Sequence, residues 1–174
     1  MCNFAVALDK HEDSFAPLIN LHFSILSVHH YPALSAPPKP GQLRTGAHTD
    51  YGSLTILAMT EANGGLEAKA PDGRWIPVQA ARGELVVNLG DLMQRWTNDR
   101  WVSTMHRVVA PDELDDAASR RMASGYFMHP NYDAEIACIP SCLGAGESAK
   151  YAPITAGGHI RDKIEKSHAG AKKS

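Results

Sequence analysis

The sequence predicts a mainly β chain folded as a jelly roll, two sheets face to face with short flanking helices, and three observations carry that prediction. Short runs of alternating or β-branched residues recur along most of the chain. Turn signals stand between them, drawn from 14 Gly and 11 Pro. With 174 residues, 44% of them hydrophobic, the chain has enough apolar material for one core and too little length for two ordinary domains. About eight short strands joined by turns close into a sandwich or barrel, and the double-sheet jelly roll is the form whose mouth commonly houses a metal.

Taken in order, the opening MCNFAVALDKHEDSFAPLI suits a helix end and a loop, with His11, Glu12 and Asp13 as a solvated charge cluster. FSILSVHHYP alternates as a strand until Pro32 stops it, and the Pro-rich loop ALSAPPKPGQ follows. SLTILAM is a strand, EANGG a turn, LEAKA a strand and PDG a tight turn, so LEAKA and the next run, RWIPVQA, form a hairpin. Pro77 in that run requires an edge or a bulge. GELVVNLG has strand length, and DLMQRWTNDRW is a short helical turn with Asp91 near its start. TMHRVVA and MASGYFMH are two more strands, separated by the acidic loop PDELDDAASRR. From Pro130 the chain reads as irregular until TAGGHIRDKIEKSHAG, a polar terminal helix. The expected organisation is a helical lead-in over residues 1–20, the jelly roll over 21–160, and a C-terminal helix and tail over 161–174.

A net charge of −2, with basic residues scattered, gives no nucleic-acid or membrane surface. Three cysteines, Cys2, Cys138 and Cys142, form no CxxC pair, which argues against a disulfide framework or a cysteine zinc site and points to a reducing cytoplasm. Neither a signal peptide nor an apolar run of membrane-spanning length is visible.

Chemistry enters at AHTDYGSLTIL. His48 and Asp50, at i and i+2 of extended backbone, face one side while Thr49 faces the other, so the pair can grip one metal ion. The spacing alone decides nothing, because His11 and Asp13 repeat it. Two histidines and one carboxylate on one face of an octahedral iron leave three positions open, enough for a bidentate co-substrate and dioxygen. A second histidine must therefore come from a distant strand lying beside the first, and His106 in STMHRVV has that setting. His48, Asp50 and His106 form the candidate set; the competing reading is hydrogen-bonded core or surface histidines and a turn-capping aspartate. Arg121 opens the following strand, where a guanidinium can hold the far end of a dicarboxylic co-substrate such as 2-oxoglutarate through two parallel bonds.

GAHTDYGSLTIL, GELVVNLGDLMQRWTNDRWVSTMHRVV and YFMHPNYDAEIACIPSC resemble the iron(II)- and 2-oxoglutarate-dependent oxygenases of the isopenicillin N synthase-like superfamily, over about residues 20 to 160. The resemblance implies a double-stranded β-helix, an Fe(II) site at His48, Asp50 and His106, and an Arg-x-Ser co-substrate motif beginning at Arg121. It also matches Tyr31, in HHYP, to a tyrosine that reaches the co-substrate in several members. The implied reaction uses Fe(II), 2-oxoglutarate and O2, releases succinate and CO2, and oxidises a small organic substrate by hydroxylation, desaturation or ring closure.

Two departures from the family pattern stand out. Where the motif has serine the chain reads Ala123, on the same strand face as Arg121, whereas Ser124 points the other way unless a bulge rotates it. A lost hydroxyl bond to a carboxylate costs about 1.5–3 kcal/mol, less if water replaces it, so weaker co-substrate binding is expected with the Arg121 contact kept. The chain is also about half the usual family length, which suggests a fragment or short form whose uncovered barrel surface favours self-association. Three alternatives follow: a noncatalytic metal-binding barrel, an iron oxidase that does not use 2-oxoglutarate, and a cupin-like zinc or sugar-binding barrel. Asn88, Asp91 and Asn98 are assigned to capping and turn bonding, and Trp75, Tyr126, Met128 and His129 to packing or surface.

Overall fold

Alternation builds two four-stranded antiparallel sheets in a computed structural model that describes residues 1–60, 65–111 and 119–171. In sheet one, β1 (Ile25–Tyr31) pairs β8 (Arg121–Met128), which pairs β3 (Leu54–Met59), which pairs β6 (Val86–Leu89). In sheet two the order is β2 (Leu43–His48), β7 (His106–Val109), β4 (Leu66–Lys69) and β5 (Trp75–Pro77). Apart from the β4–β5 hairpin, consecutive strands from β1 to β8 fall in different sheets, and residues from both sheets line one cavity between them. This is the jelly roll the strand pattern predicts. A two-stranded pair, β9 (Glu135–Ile136) and β10 (Ile154–Thr155), lies in the stretch read as irregular. The expected EANGG turn and the acidic loop fall largely outside the described residues.

Period-two alternation sorts β8 cleanly. Arg121, Ala123 and Gly125 are buried while Met122 is exposed, and the register with β1 and β3 runs unbroken from Arg121 to Met128. Pro77 sits in β5 at the edge of sheet two, where its missing N–H is harmless. The LEAKA–RWIPV hairpin forms around Gly73, whose φ of +87° a side chain would resist. Strand β2 was not among the expected strands. Its sequence, LRTGAH, does not alternate, and its pairing with β7 carries register shifts between Leu43 and Thr45 and between Thr45 and His48. A bulge of this kind puts Thr45 and His48, three residues apart, on the same face.

A cluster of buried hydrophobic residues lies beside the barrel. Helix α1 (Cys2–Ala7), a 3-10 turn at Glu12–Phe15, α2 (Ala16–Ile19), α3 (Asp91–Trp96) and α4 (Ala156–Ala171) surround or flank it. Ala5, Leu8, Phe15, Leu92, Met93, Trp96, Ile136, Ile139, Ala156 and Ile160 are buried there together. The lead-in and the start of the terminal helix are thus core-forming, and that helix begins at Ala156. Its polar reading fails over the first turns because Ala156 and Ile160 face the cluster. His11, Glu12 and Asp13 are solvated as expected, with His11 Nδ1 accepting from the Asp13 N–H. No helix among the described residues is long and apolar enough to cross a membrane.

Helix α3 stops where Asn98 and Asp99 turn left-handed, at φ +54° and +67°. Side-chain bonds offset the strain: Asp99 accepts from Tyr151 and Gln94 and pairs Lys150, while Asn98 accepts from the Lys150 N–H at 2.8 Å. At the other end of α3, Asp91 pairs with Lys163 of α4, Nζ–Oδ2 2.5 Å, with His159 Nε2 at 3.9 Å. Burial would raise the Asp91 pKa, but His159, Lys163 and Ser103 together hold it well below the ordinary carboxylate value. Asp91→Asn is therefore expected to lower stability by about 1.5–3 kcal/mol at pH 7 in urea denaturation. Because the folded-state pKa is depressed, that difference should shrink as pH falls below about 4, the unfolded carboxylate value.

Candidate metal centre

His48 ends β2, Asp50 lies two residues past it, and His106 opens β7; the strands pair so that His48 and His106 are Cα partners. Their rings stand 4.3 Å apart between centroids. His48 Nδ1 meets Gly46 O at 2.8 Å and His106 Nδ1 meets Thr104 O at 2.9 Å. Each Nδ1 therefore carries the proton, and each Nε2 keeps its lone pair for the centre. Both Nε2 atoms point at one oxygen, Asp50 Oδ1, from 4.0 and 3.6 Å. These three atoms lie within 4.8 Å of one another, a spread one cation can bridge.

Asp50 is only 6% exposed, and its two oxygens are treated differently. Thr55 Oγ1 donates to Oδ2 at 2.5 Å and Asn88 Nδ2 donates to the same atom at 2.7 Å. With Oδ2 satisfied by two neutral donors, Oδ1 is left for a cation. The backbone here is held as firmly. At the start of α3, the Asp91 N–H donates to Asp50 O at 2.8 Å and the Leu92 N–H to Gly52 O at 3.0 Å. Glycine is required on both sides of this clamp. A Cβ on Gly90 would stand 2.3 Å from Gly52 O, and one on Gly52 would stand 2.5 Å from Met128 O.

The same cavity, about 190 Å³, runs from the triad to Arg121 between apolar walls that include Leu57, Val86, Val108 and Phe127. Arg121 is 5% exposed. Its Nη2 donates to Met59 Sδ at 3.3 Å, its Cζ stands 5.4 Å from the Tyr31 ring centroid, and its buried Nε has no hydrogen-bond partner among the described residues. No carboxylate among the described residues pairs with it. Burial, helped by nearby Arg44, pulls the guanidinium below its ordinary pKa. Gly65, with φ +142°, makes room, since a Cβ there would stand 2.3 Å from Arg121 Nη1. Tyr31 is the Cα partner of Arg121 across β1 and β8, so the structure brings all five sequence-selected residues to one cavity.

Comparison with known proteins agrees with this geometry. The family model for the 2OG-Fe(II) oxygenase superfamily matches residues 22–130. The chain belongs to that superfamily. The 2-oxoglutarate-Fe(II) type oxidoreductase hxnY of Emericella nidulans is 37% identical over 171 residues, which cover 96% of this chain and 47% of hxnY. The proline hydroxylase buaE of Petromyces alliaceus is 39% identical over 142 residues, 79% of this chain and 44% of buaE. A full-length Neurospora crassa protein solved in complex with alpha-KG, another name for 2-oxoglutarate, superposes with a TM-score of 0.86 at 36% identity. That superposition covers 95% of this chain and 51% of the Neurospora chain. The chain spans about half the length of the curated relatives it matches. Its fold is the double-stranded β-helix of these oxygenases.

The donor set fits the iron(II) this superfamily takes: two neutral imidazoles and one carboxylate oxygen, each oriented by a bond to its far side. Two residues that hold the Asp50 carboxylate lie outside the sequence-selected set. Thr55 carried no signal beyond its place in a strand, and Asn88, assigned to capping or turn bonding, instead donates to Asp50 because β6 pairs β3 with Asn88 opposite Thr55. Trp75, Tyr126, Met128 and His129 do not line the cavity, as their assignment to packing or surface expects. Thr55→Val removes one of the two donors on Oδ2 and is expected to weaken Mn(II) binding about 10–100-fold in a calorimetric titration. Full Mn(II) affinity in that variant would mean that Asp50 orientation does not depend on Thr55.

Proposed function

We propose that this domain is the catalytic core of a non-haem Fe(II)- and 2-oxoglutarate-dependent dioxygenase that oxidises a small organic substrate. One observation carries the reading: a buried guanidinium without a carboxylate partner among the described residues shares a cavity with three converging donor atoms. An uncompensated buried cation is costly, and a dicarboxylate spanning from Arg121 toward the triad relieves that cost. His48, Asp50 and His106 are the residues that would hold the iron. The chemistry such an ion supplies when bound is dioxygen activation coupled to oxidative decarboxylation of 2-oxoglutarate into succinate and CO2.

The chain's own contribution is orientation and exclusion. Arg121 holds the distal carboxylate through its fork, and the Tyr31 ring fixes the height of that fork in the cavity. Gly46 O and Thr104 O keep the two imidazoles turned inward with their protons on the outer nitrogens. Leu57, Val86, Val108 and Phe127 limit water around the reacting atoms. Relatives named proline hydroxylase and validamycin A dioxygenase act on unrelated molecules, so the proposal is of a reaction class. The free cysteines favour a reducing compartment, and we assign the protein to the cytoplasm.

The decisive experiment adds O2 to anaerobic protein loaded with Fe(II) and 2-oxoglutarate and measures succinate. Oxygen-dependent succinate release is expected from the parent and none from Asp50→Ala, which should also lose Fe(II). Iron retained with no succinate would instead identify a binding-only barrel. Oxygen consumption independent of 2-oxoglutarate would identify an oxidase of the second kind.

The outward face of sheet one supports self-association. Leu26 and Val28 on β1, Met122 on β8 and Val87 on β6 are 70%, 59%, 44% and 53% exposed in the same sheet. Sedimentation velocity is expected to show concentration-dependent assembly, reduced in Leu26→Lys; a monomer at every concentration would exclude it.

A further inference from the structure

At position 123 the family pattern expects a hydroxyl beside the arginine, and this chain has none there. Ala123 is buried and lines the cavity, and the unbroken register of β8 leaves no bulge to bring Ser124 round. The Arg121 end of the cavity nevertheless holds two hydroxyls from other strands. Tyr31, the strand partner of Arg121, places its ring 5.4 Å from the guanidinium carbon. Its hydroxyl stands 3.2 Å from Thr45 Oγ1, and both residues line the cavity.

Two hydroxyls joined by one hydrogen bond consume one O–H and leave the other free to donate. Neither has another hydrogen-bond partner among the described residues. The location suits an anion held by Arg121. Thr45 precedes His48 by three residues on β2, about 10 Å along an extended strand. The register shift between them keeps both on the cavity face. One wall thus carries a hydroxyl donor and a metal-directed imidazole at a separation suited to a short diacid lying between them.

We propose that Thr45, paired with Tyr31, supplies from sheet two the hydroxyl donor that position 123 lacks, and so binds the distal carboxylate of 2-oxoglutarate alongside Arg121. The inference rests on the co-substrate reading above and adds a residue to it. The donor has moved across the cavity, from the strand of the arginine to the opposing sheet, which explains how alanine is tolerated at 123.

The test is calorimetric titration of 2-oxoglutarate into Mn(II)-loaded protein, with near-UV circular dichroism to confirm folding. Thr45→Val is expected to raise the dissociation constant about tenfold, the loss of one hydrogen bond to a charged group, while Thr45→Ser stays within about threefold of the parent. Ala123→Ser alone should change little, yet added to Thr45→Val it should restore most of the affinity. Equal affinity in Thr45→Val and the parent overturns the proposal. So does Thr45→Ser as weak as Thr45→Val, which would make the methyl group the contact, and so does a double variant no tighter than Thr45→Val. Parent protein that binds no 2-oxoglutarate overturns the co-substrate reading itself, a result distinct from these.

Discussion

The Asp50 carboxylate is the point on which the rest of the structure converges. It is buried, and the fold treats its two oxygens differently. Oδ2 receives Thr55 from β3 and Asn88 from β6, while Oδ1 faces two imidazoles from sheet two. One side chain thereby ties the two sheets together at the mouth of the cavity. Its own backbone is pinned by the first N–H groups of α3, donors that a helix start would otherwise leave without partners.

That arrangement explains the composition of the surrounding motifs better than catalysis alone does. Gly52 and Gly90 permit backbone contacts that any Cβ would break, and Asp91 fixes α3 to α4 through Lys163. The hydrophobic cluster of α1, α3 and α4 lies on the far side of this clamp, outside the barrel. Packing energy is thus gathered beside the sheets while the space between them is left open for a ligand. A barrel filled with interlocking side chains would have no room for one.

Much of this was legible before folding was considered. Seven of the strand segments, the PDG hairpin, the edge position of Pro77 and the short helix at Asp91 follow from alternation and turn chemistry. Strand β2 was hidden because Arg44 and Gly46 interrupt alternation and a bulge then rephases it. Asn88 and Thr55 gave no warning of their shared task, since only the pairing of β3 with β6 puts them side by side. The terminal helix reads as solvated because, of its described residues, only Ala156 and Ile160, in its first turns, are buried apolar residues, while Ile164 further along is exposed.

By itself the sequence determined the periodicity of each segment and the kinds of donor available: two imidazoles and a carboxylate in matching motifs, an arginine opening a strand, an alanine where a hydroxyl was expected. Tertiary structure decided which of those groups meet. Strand order put His106 opposite His48, put Tyr31 beside Arg121, and brought Thr45 to the cavity that Arg121 lines from some 75 residues further along the chain. The reason is physical: alternation fixes the face on which a side chain stands, whereas the partner across a sheet depends on loop closure and register, which no local pattern encodes.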